Sequence, residues 1–137
     1  MTNLARWEKY SPVGIGLESM FNRLDALTDS TATNYPPYNI VNTGKETTEL
    51  EIALAGFSRD EIEVATHLGV LTVSTRREGV DNREYCHRGL AQRTFARNWQ
   101  LGDDVTIDDV VYVDGLLTIK LRKEVPEAQQ RKLLPIN

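Results

Sequence analysis

The sequence predicts an all-β fold: a two-layer β-sandwich with a partly helical N-terminal arm and an extended C-terminal tail. Three observations support this prediction. Short runs alternate apolar with polar residues, glycines separate those runs, and the chain has 137 residues, enough for a single domain. Roughly seven or eight such strands are too many for one open sheet of this length, so two packed sheets are expected.

Residues 1–34 differ in composition from the rest and predict an arm. Glycine and proline breakers near 12–16 and a polar run at 28–34 enclose apolar residues spaced i, i+3, i+4, i+7 and i+10. This spacing predicts an amphipathic helix over about 16–28. Its stripe consists of Leu17, Met20, Phe21, Leu24 and Leu27. A helix this short is only marginally stable in water when isolated, so its apolar stripe must pack on something. The stripe is either part of the fixed core or a surface that binds apolar partners.

Residues 35–123 predict the sandwich itself. The apolar residues that share strand faces are Leu50, Ile52 and Leu54, Ile62 and Val64, Leu71 and Val73, Phe95, Trp99 and Leu101, and Leu117, Ile119 and Leu121. Glycines at the ends of these runs, including Asp114-Gly115, supply the turns. The charged interval 76–93 predicts a protruding loop with one short candidate strand, Arg83 to His87.

Residues 124–137 predict a polar tail with an apolar tip. Pro135 favours an extended chain before it, so Leu134 and Ile136 are expected to project to one side. Two knobs on an extended segment suit docking on the sheet edge of a neighbouring chain.

Composition excludes several classes of protein. The net charge of −4 disfavours a general nucleic-acid surface, and no apolar run approaches the roughly 18 residues of a membrane span. The N-terminus has no apolar segment behind its charges, and the single cysteine, Cys86, fits a reducing compartment. We therefore expect a cytoplasmic protein without a membrane span or an internal disulfide.

The sequence contains few histidine and cysteine residues, which commonly act in catalysis. His67, His87 and Cys86 are its only histidines and its only thiol, and consecutive residues such as Cys86 and His87 point to opposite faces of a strand. No zinc-ligand spacing or phosphate-binding glycine loop is present, so no metal, nucleotide or other cofactor is expected. The enzyme alternative, a thiol hydrolase using Cys86, predicts that Cys86→Ser abolishes activity.

Charge is distributed unevenly. Six arginines fall between residues 76 and 97, and five aspartates between 103 and 114, so the two stretches either attract one another between subunits or form solvated faces. Arg97 lies between Phe95 and Trp99 on an apolar face. A buried Arg97 needs a carboxylate partner, which a subunit interface would supply, whereas an exposed edge strand would not require one.

Several motifs occur together in order. They are Tyr-Pro-Pro-Tyr-Asn-Ile at 35–40, Ile-Ala-Leu-Ala-Gly-Phe at 52–57, Glu-Ile-Glu-Val at 61–64, Leu-Thr-Val at 71–73, the Tyr85 to Leu101 stretch, Asp-Gly-Leu-Leu-Thr-Ile at 114–119, Val-Pro-Glu-Ala at 125–128 and Leu-Pro-Ile at 134–136. Together they resemble the small heat-shock protein (alpha-crystallin domain) family, and within it the bacterial inclusion-body-binding branch. Val110, Trp99 and Leu134 depart from the family pattern but keep its apolar character.

The resemblance implies an immunoglobulin-like alpha-crystallin sandwich that dimerises by strand exchange. The residues it assigns to that exchange are Arg83, Glu84, Tyr85, Cys86 and His87, with Arg97 at the interface. It further implies that the tail motif, Leu134, Pro135 and Ile136, enters an edge groove on another dimer. The groove it implies has Ile62 and Val64 on one side and Asp109, Val111 and Val113 on the other.

The function implied is that of an ATP-independent chaperone of the stress response. Such a holdase binds unfolding client proteins, here through the stripe from Leu17 to Leu27, and leaves refolding to ATP-driven chaperones. Its partners would be clients, other copies of itself in a homo-oligomer, and possible related small heat-shock proteins. The binding-module alternative, a p23-like sandwich co-chaperone, predicts a monomer and no role for the tail motif.

Overall fold

A computed structural model describes residues 8–10, 12–29, 35–77, 79, 81–90, 92–124 and 130–137 of the chain. It contains one long helix, seven strands and one short 3-10 turn at Arg59–Glu61. The elements are α1 (Glu18–Asp29), β1 (Tyr38–Asn42), β2 (Thr47–Ala53), β3 (Ile62–His67), β4 (Val70–Thr75), β5 (Ala96–Gln100), β6 (Val105–Val113) and β7 (Leu116–Lys123).

The seven strands form two antiparallel sheets. One has the order β1-β2-β7-β6 and the other the order β3-β4-β5. The predicted fold class, a two-layer all-β sandwich, is therefore confirmed. Because neither sheet closes on itself, β1, β6, β3 and β5 are all edge strands within the described part of the chain.

The core is built from one alternate set of side chains on β2, β4 and β7, together with Leu54 and Phe57 in the segment after β2. Each core residue has less than a tenth of its surface exposed. The core residues are Leu50, Ile52, Leu54, Phe57, Leu71, Val73, Leu117 and Ile119. In β2 and β7 the pairs Leu50 with Ile119 and Ile52 with Leu117 lie directly opposite one another. The period-2 pattern of the sequence thus placed the core of both sheets correctly.

Two hairpins use the same turn chemistry. Leu68 and Gly69 join β3 to β4, and Asp114 and Gly115 join β6 to β7, with positive φ at all four residues. Such turns match the twist of the strands they connect. They differ in their surroundings, because a Cβ on Gly115 would lie 3.0 Å from the backbone Cα of Ala55, whereas one on Gly69 would first meet the end of the flexible Gln100 side chain.

The expected strand at 83–87 is not formed within this chain. Residues 81–90 are exposed and carry no strand assignment. A strand needs a neighbour to accept and donate its ladder of hydrogen bonds, and none of the described strands pairs with this segment.

Helix α1 covers the range where the sequence predicts a helix. It packs next to β5, and the Arg23 side chain donates a hydrogen bond to the Leu68 carbonyl at 3.2 Å. Among the described residues, no helix is both long and apolar enough to cross a membrane.

We predict that Gly115→Ala lowers the free energy of unfolding by about 1–2 kcal/mol more than Gly69→Ala does. Both substitutions carry the strain of a positive φ, 80° at Gly115 and 78° at Gly69, but only the first also presses a methyl group against backbone. Urea unfolding of both variants at one chain concentration measures the difference. Equal losses would show that Ala55 moves aside at no cost.

Candidate functional site

An apolar groove lies along one edge of the sandwich, between β3 of one sheet and β6 of the other. It has a volume of about 300 Å³. Its lining residues are Arg59, Ile62, Val64, Val110, Tyr112 and Leu117. The two β3 residues are those that the sequence predicted for a tail-binding groove, and both are half-buried against the core.

The β6 side of the groove differs from the prediction. Val110 and Tyr112 line it, whereas Asp109, Val111 and Val113 lie on the other face of the strand. The pairing shows this directly, since Val110 and Tyr112 stand opposite the buried Ile119 and Leu117 of β7. Asp109, Val111 and Val113 therefore do not line this groove, and their part in tail binding stays a prediction.

A β-bulge sets the inward phase of β6. The register of β6 against β7 shifts between Ile107 and Asp109, which leaves Asp108 as the additional residue. Counting by twos from the inward-facing Ile107 gives 109, 111 and 113. One inserted residue moves the inward set to 110 and 112. The segment is apolar on both phases from Val110 to Val113, so the sequence alone gave no signal of the shift.

Tyr112 is a structural wall of the groove that sequence reasoning missed. Its hydroxyl lies 2.7 Å from the Leu54 carbonyl and 2.6 Å from the Phe57 carbonyl. A phenol has one hydrogen to donate, so the two carbonyls share it. This contact ties β6 to the turn that follows β2 and fixes the ring at the end of the groove.

The entrance to β3 is held by a polar cluster. Both the backbone N–H and the hydroxyl of Ser58 lie within hydrogen-bond distance of Glu61 Oε1, at 2.9 and 3.1 Å. Arg77 pairs with Glu61 at 3.1 Å, donates to the Gly56 carbonyl at 2.5 Å, and lies over the Phe57 ring. The hydrogen bonds from Ser58 and Arg77 hold the pKa of Glu61 below its usual value.

The C-terminal segment that would fill such a groove lies in solvent. Leu134 is 78% exposed and Ile136 is 99% exposed. The two apolar side chains of the tail motif are therefore not buried against the described part of the chain. Its apolar side chains and the groove between β3 and β6 are chemically matched surfaces.

The stripe of α1 is only partly covered. Met20, Phe21 and Leu27 are half-buried, and the Phe21 ring stacks on Tyr10 with centroids 5.8 Å apart. Leu17 and Leu24 remain exposed. The stripe is thus shared between packing on the chain's own sandwich and a free apolar surface.

Residues 81–90 form a small polar cluster on the surface. The Tyr85 hydroxyl donates to Asp81 and lies 2.7 Å from an Arg83 nitrogen, and its ring lies beneath the guanidinium groups of Arg83 and Arg88. Arg83 holds the pKa of the Asp81 carboxyl well below its usual range, and Asp81 holds the pKa of Arg83 above its own. Cys86 is exposed in the same segment.

Arg97 is stabilised by aromatic rings. Its guanidinium lies 4.5 Å from the Tyr38 ring centroid and 5.8 Å from that of Trp99, and it is half-buried. Cation–π contacts of this kind compensate part of the cost of burying the charge. Elsewhere, Asp104 pairs with Lys123 and Asp108 with Arg122, so part of the acidic stretch is neutralised within its own sheet.

A second cavity, which we call the end cavity, opens on the other side of the sandwich. Its volume is about 260 Å³, and β1, β2, β4, β5 and β7 all contribute to its walls. Most of the wall is apolar and includes Ile40, Leu50, Leu71, Trp99, Leu101 and Leu121.

Across the described part of the chain, no group of three or more His, Cys, Asp or Glu residues is arranged to hold a metal ion.

Comparison with known proteins gives consistent matches. Residues 40–137 match the model of the Hsp20/alpha crystallin family. The chain is 36% identical to small heat shock protein HspD of Bradyrhizobium diazoefficiens over 123 residues, which cover 90% of this chain and 82% of the relative. It is 32% identical to small heat shock protein IbpA of Escherichia coli over 124 residues, which cover 90% of each.

Solved structures show the same architecture. A small heat shock protein from Synechococcus phage S-ShM2 is 43% identical with a TM-score of 0.58, covering 74% of this chain and 99% of that chain. Small heat shock protein AgsA from Salmonella typhimurium has a TM-score of 0.61, covering 74% of this chain and 98% of the AgsA chain, and at 20% identity it supports the fold alone.

We predict that Tyr112→Phe lowers the free energy of unfolding by about 1–3 kcal/mol, because it removes the donor shared by the Leu54 and Phe57 carbonyls. Tyr38→Phe is the control, since the Tyr38 hydroxyl lies 3.4 Å from Arg97 and its side chain is exposed. Urea unfolding at fixed chain concentration compares the two. An equal effect would contradict the anchoring role of Tyr112.

We also predict a pH dependence at Glu61. Because its folded pKa is lowered, its contribution to stability is present above the unfolded value of about 4.3 and is lost as the pH falls through the folded pKa. Glu61→Gln should therefore destabilise the protein at neutral pH, and the difference from the unsubstituted chain should shrink below about pH 4. Unfolding midpoints measured from pH 3 to pH 7 test this, with the exposed neighbour Asp60→Asn as control. A pH-independent difference would contradict it.

Proposed function

The chain belongs to the Hsp20/alpha crystallin family, and on that basis we propose that it is an ATP-independent holdase that captures unfolding proteins and prevents their aggregation. Family membership makes it a small heat-shock protein with a chaperone role and not an enzyme. The observation that carries the more specific proposal is the pairing of an apolar edge groove with an exposed tail of two apolar knobs.

The proposed assembly begins with dimers formed by strand exchange through residues 83–87. The free edge of β1 and the unpaired 81–90 segment support it, because each is one half of a possible antiparallel ladder. The tail of one dimer then docks in the β3–β6 groove of another and builds a larger homo-oligomer. Related small heat-shock proteins with similar tails would fit the same groove.

The strength of one tail contact determines how the assembly behaves. Burial of Leu134 and Ile136 contributes roughly 1.5–3 kcal/mol each, before the cost of ordering the tail. One such contact is weak, but several on one particle act together through their high effective concentration. Heat therefore releases individual tails and frees grooves without dissolving the assembly.

Client capture in this proposal is passive. Unfolding proteins expose apolar surface, and the exposed part of the α1 stripe, with Leu17 and Leu24, and the freed grooves cover it. No covalent step or nucleotide is involved, and refolding is left to ATP-driven chaperones. A cytoplasmic location belongs to this proposal and is supported by the single cysteine, which fits a reducing compartment.

We predict that replacing Leu134 and Ile136 together by Ala converts large oligomers to dimers and accelerates subunit exchange. Leu133→Ala is the matched control, because Leu133 is 81% exposed and precedes the two knobs on the opposite phase of an extended tail. Native mass spectrometry at ambient and raised temperature measures the assembly, and light scattering of a heat-unfolding client measures protection. A full-length monomer would contradict the proposal and favour a sandwich co-chaperone.

A further inference from the structure

The end cavity lies beside an unpaired sheet edge. Strand β1 is hydrogen-bonded to β2 on one side, and every one of its residues is exposed. Tyr38 and Ile40 stand opposite the buried Ile52 and Leu50, so they belong to the inward phase of β1. Ile40 lines the cavity and is nevertheless 61% exposed, because nothing in the described chain covers it from the side.

The size and walls of the end cavity suit one aromatic ring. A dry apolar cavity of about 150 Å³ binds benzene, so about 260 Å³ has room for a phenol ring. Trp99 forms part of the wall, and the edge-to-face contact of Tyr38 with Trp99 at 5.4 Å shows that this region already packs aromatic rings. Gln100, also in the wall, has a side-chain oxygen that is buried and accepts no hydrogen bond from the described residues.

Tyr85 has the chemistry to fill this site. It is the only Phe, Tyr or Trp residue between 76 and 94. In the single chain its ring lies on the surface between Arg83 and Arg88, and its hydroxyl contacts Asp81 and Arg83 of the same segment. Such exposed contacts are worth little, so Tyr85 gives up little by moving into an apolar site.

We propose that the end cavity is completed by Tyr85 of a second copy of this chain, whose ring enters beside Trp99 when the 83–87 segment pairs with β1. The proposal rests on the strand exchange proposed above and adds which face of the exchanged segment turns inward. Because alternate residues of a strand share a face, Arg83 and His87 accompany Tyr85, whereas Glu84 and Cys86 point away from the cavity.

The connection is long enough for this arrangement. Arg83 lies eight positions after Thr75, where β4 ends, so the connection can extend to roughly 25 Å. The segment can thus leave its own sandwich and run along the edge of another. The free edge of β1 then gains a neighbour and its inward side chains are covered.

Cysteine pairing between two differently substituted chains tests the inward phase. All chains carry Cys86→Ser; one also carries Tyr38→Cys or Ile40→Cys, and the other carries Tyr85→Cys or, as the matched control, Glu84→Cys. After mixing and mild oxidation, we expect roughly ten-fold more cross-linked dimer from position 85 than from position 84, because a disulfide cannot join side chains on opposite faces of a sheet. Non-reducing gels and mass spectrometry measure the yield.

The outcomes separate this inference from the function on which it rests. Cross-linking from position 84 instead of 85 would overturn the Tyr85 assignment and leave strand exchange intact. No cross-linking from either position in a protein that still dimerises would overturn strand exchange itself.

Fluorescence provides a second measurement on chains with an unmodified loop. Trp7→Phe leaves Trp99 as the only tryptophan, since the sequence has 2. In that background we expect Tyr85→Ala to shift Trp99 emission to the red and Glu84→Ala to leave it in place, because of these two side chains only Tyr85 would cover the Trp99 ring. Unchanged emission after Tyr85→Ala in a chain that remains dimeric would contradict the proposal.

Discussion

The contact of β2 with both its sheet partners and the opposite sheet is the interaction on which the other surfaces depend. Leu50, Ile52 and Leu54 are almost completely buried, and they set the inward phase of β1 and β7 through the strand register. In a sandwich of a four-stranded and a three-stranded sheet, the central strands have hydrogen-bonded neighbours on both sides, whereas each edge strand has a neighbour on one side only. At the β3–β6 groove and at the end cavity, inward side chains remain without a cover from the described part of the chain.

The sequence was informative where a strand is buried on one regular face. In β2, β4 and β7 the alternation is unbroken, and a slip of one residue would expose the entire apolar set, so pattern and structure agree. It was ambiguous at β6, where the bulge at Asp108 changes the phase within one strand. Val110, Val111 and Val113 are all apolar, so either phase satisfies the pattern. Only the pairing with Ile119 and Leu117 distinguishes them.

Polar contacts were the least predictable part of the site. The sequence marks Arg97 as a charge on an apolar face, but not that Tyr38, 59 positions away, supplies the ring over which it lies. Arg77 looked like one member of a charged run, yet it links Glu61, Gly56 and Phe57 across a turn. Such links join residues distant in sequence, and no local periodicity encodes them.

The same open edges that limit the stability of one chain would permit the reversible assembly proposed above. If every edge were closed by the chain itself, the tail and the 83–87 segment would have no site to occupy; if each were filled by a large apolar surface, the subunits would not separate again. Two knobs per tail and one short exchanged segment lie between these extremes. The partial cover of the α1 stripe fits the same proposal, because a helix of 12 residues that contacts β5 and is held by the Arg23 hydrogen bond would be released at small cost. A chaperone that must expose apolar surface on demand requires contacts that are individually weak and collectively sufficient.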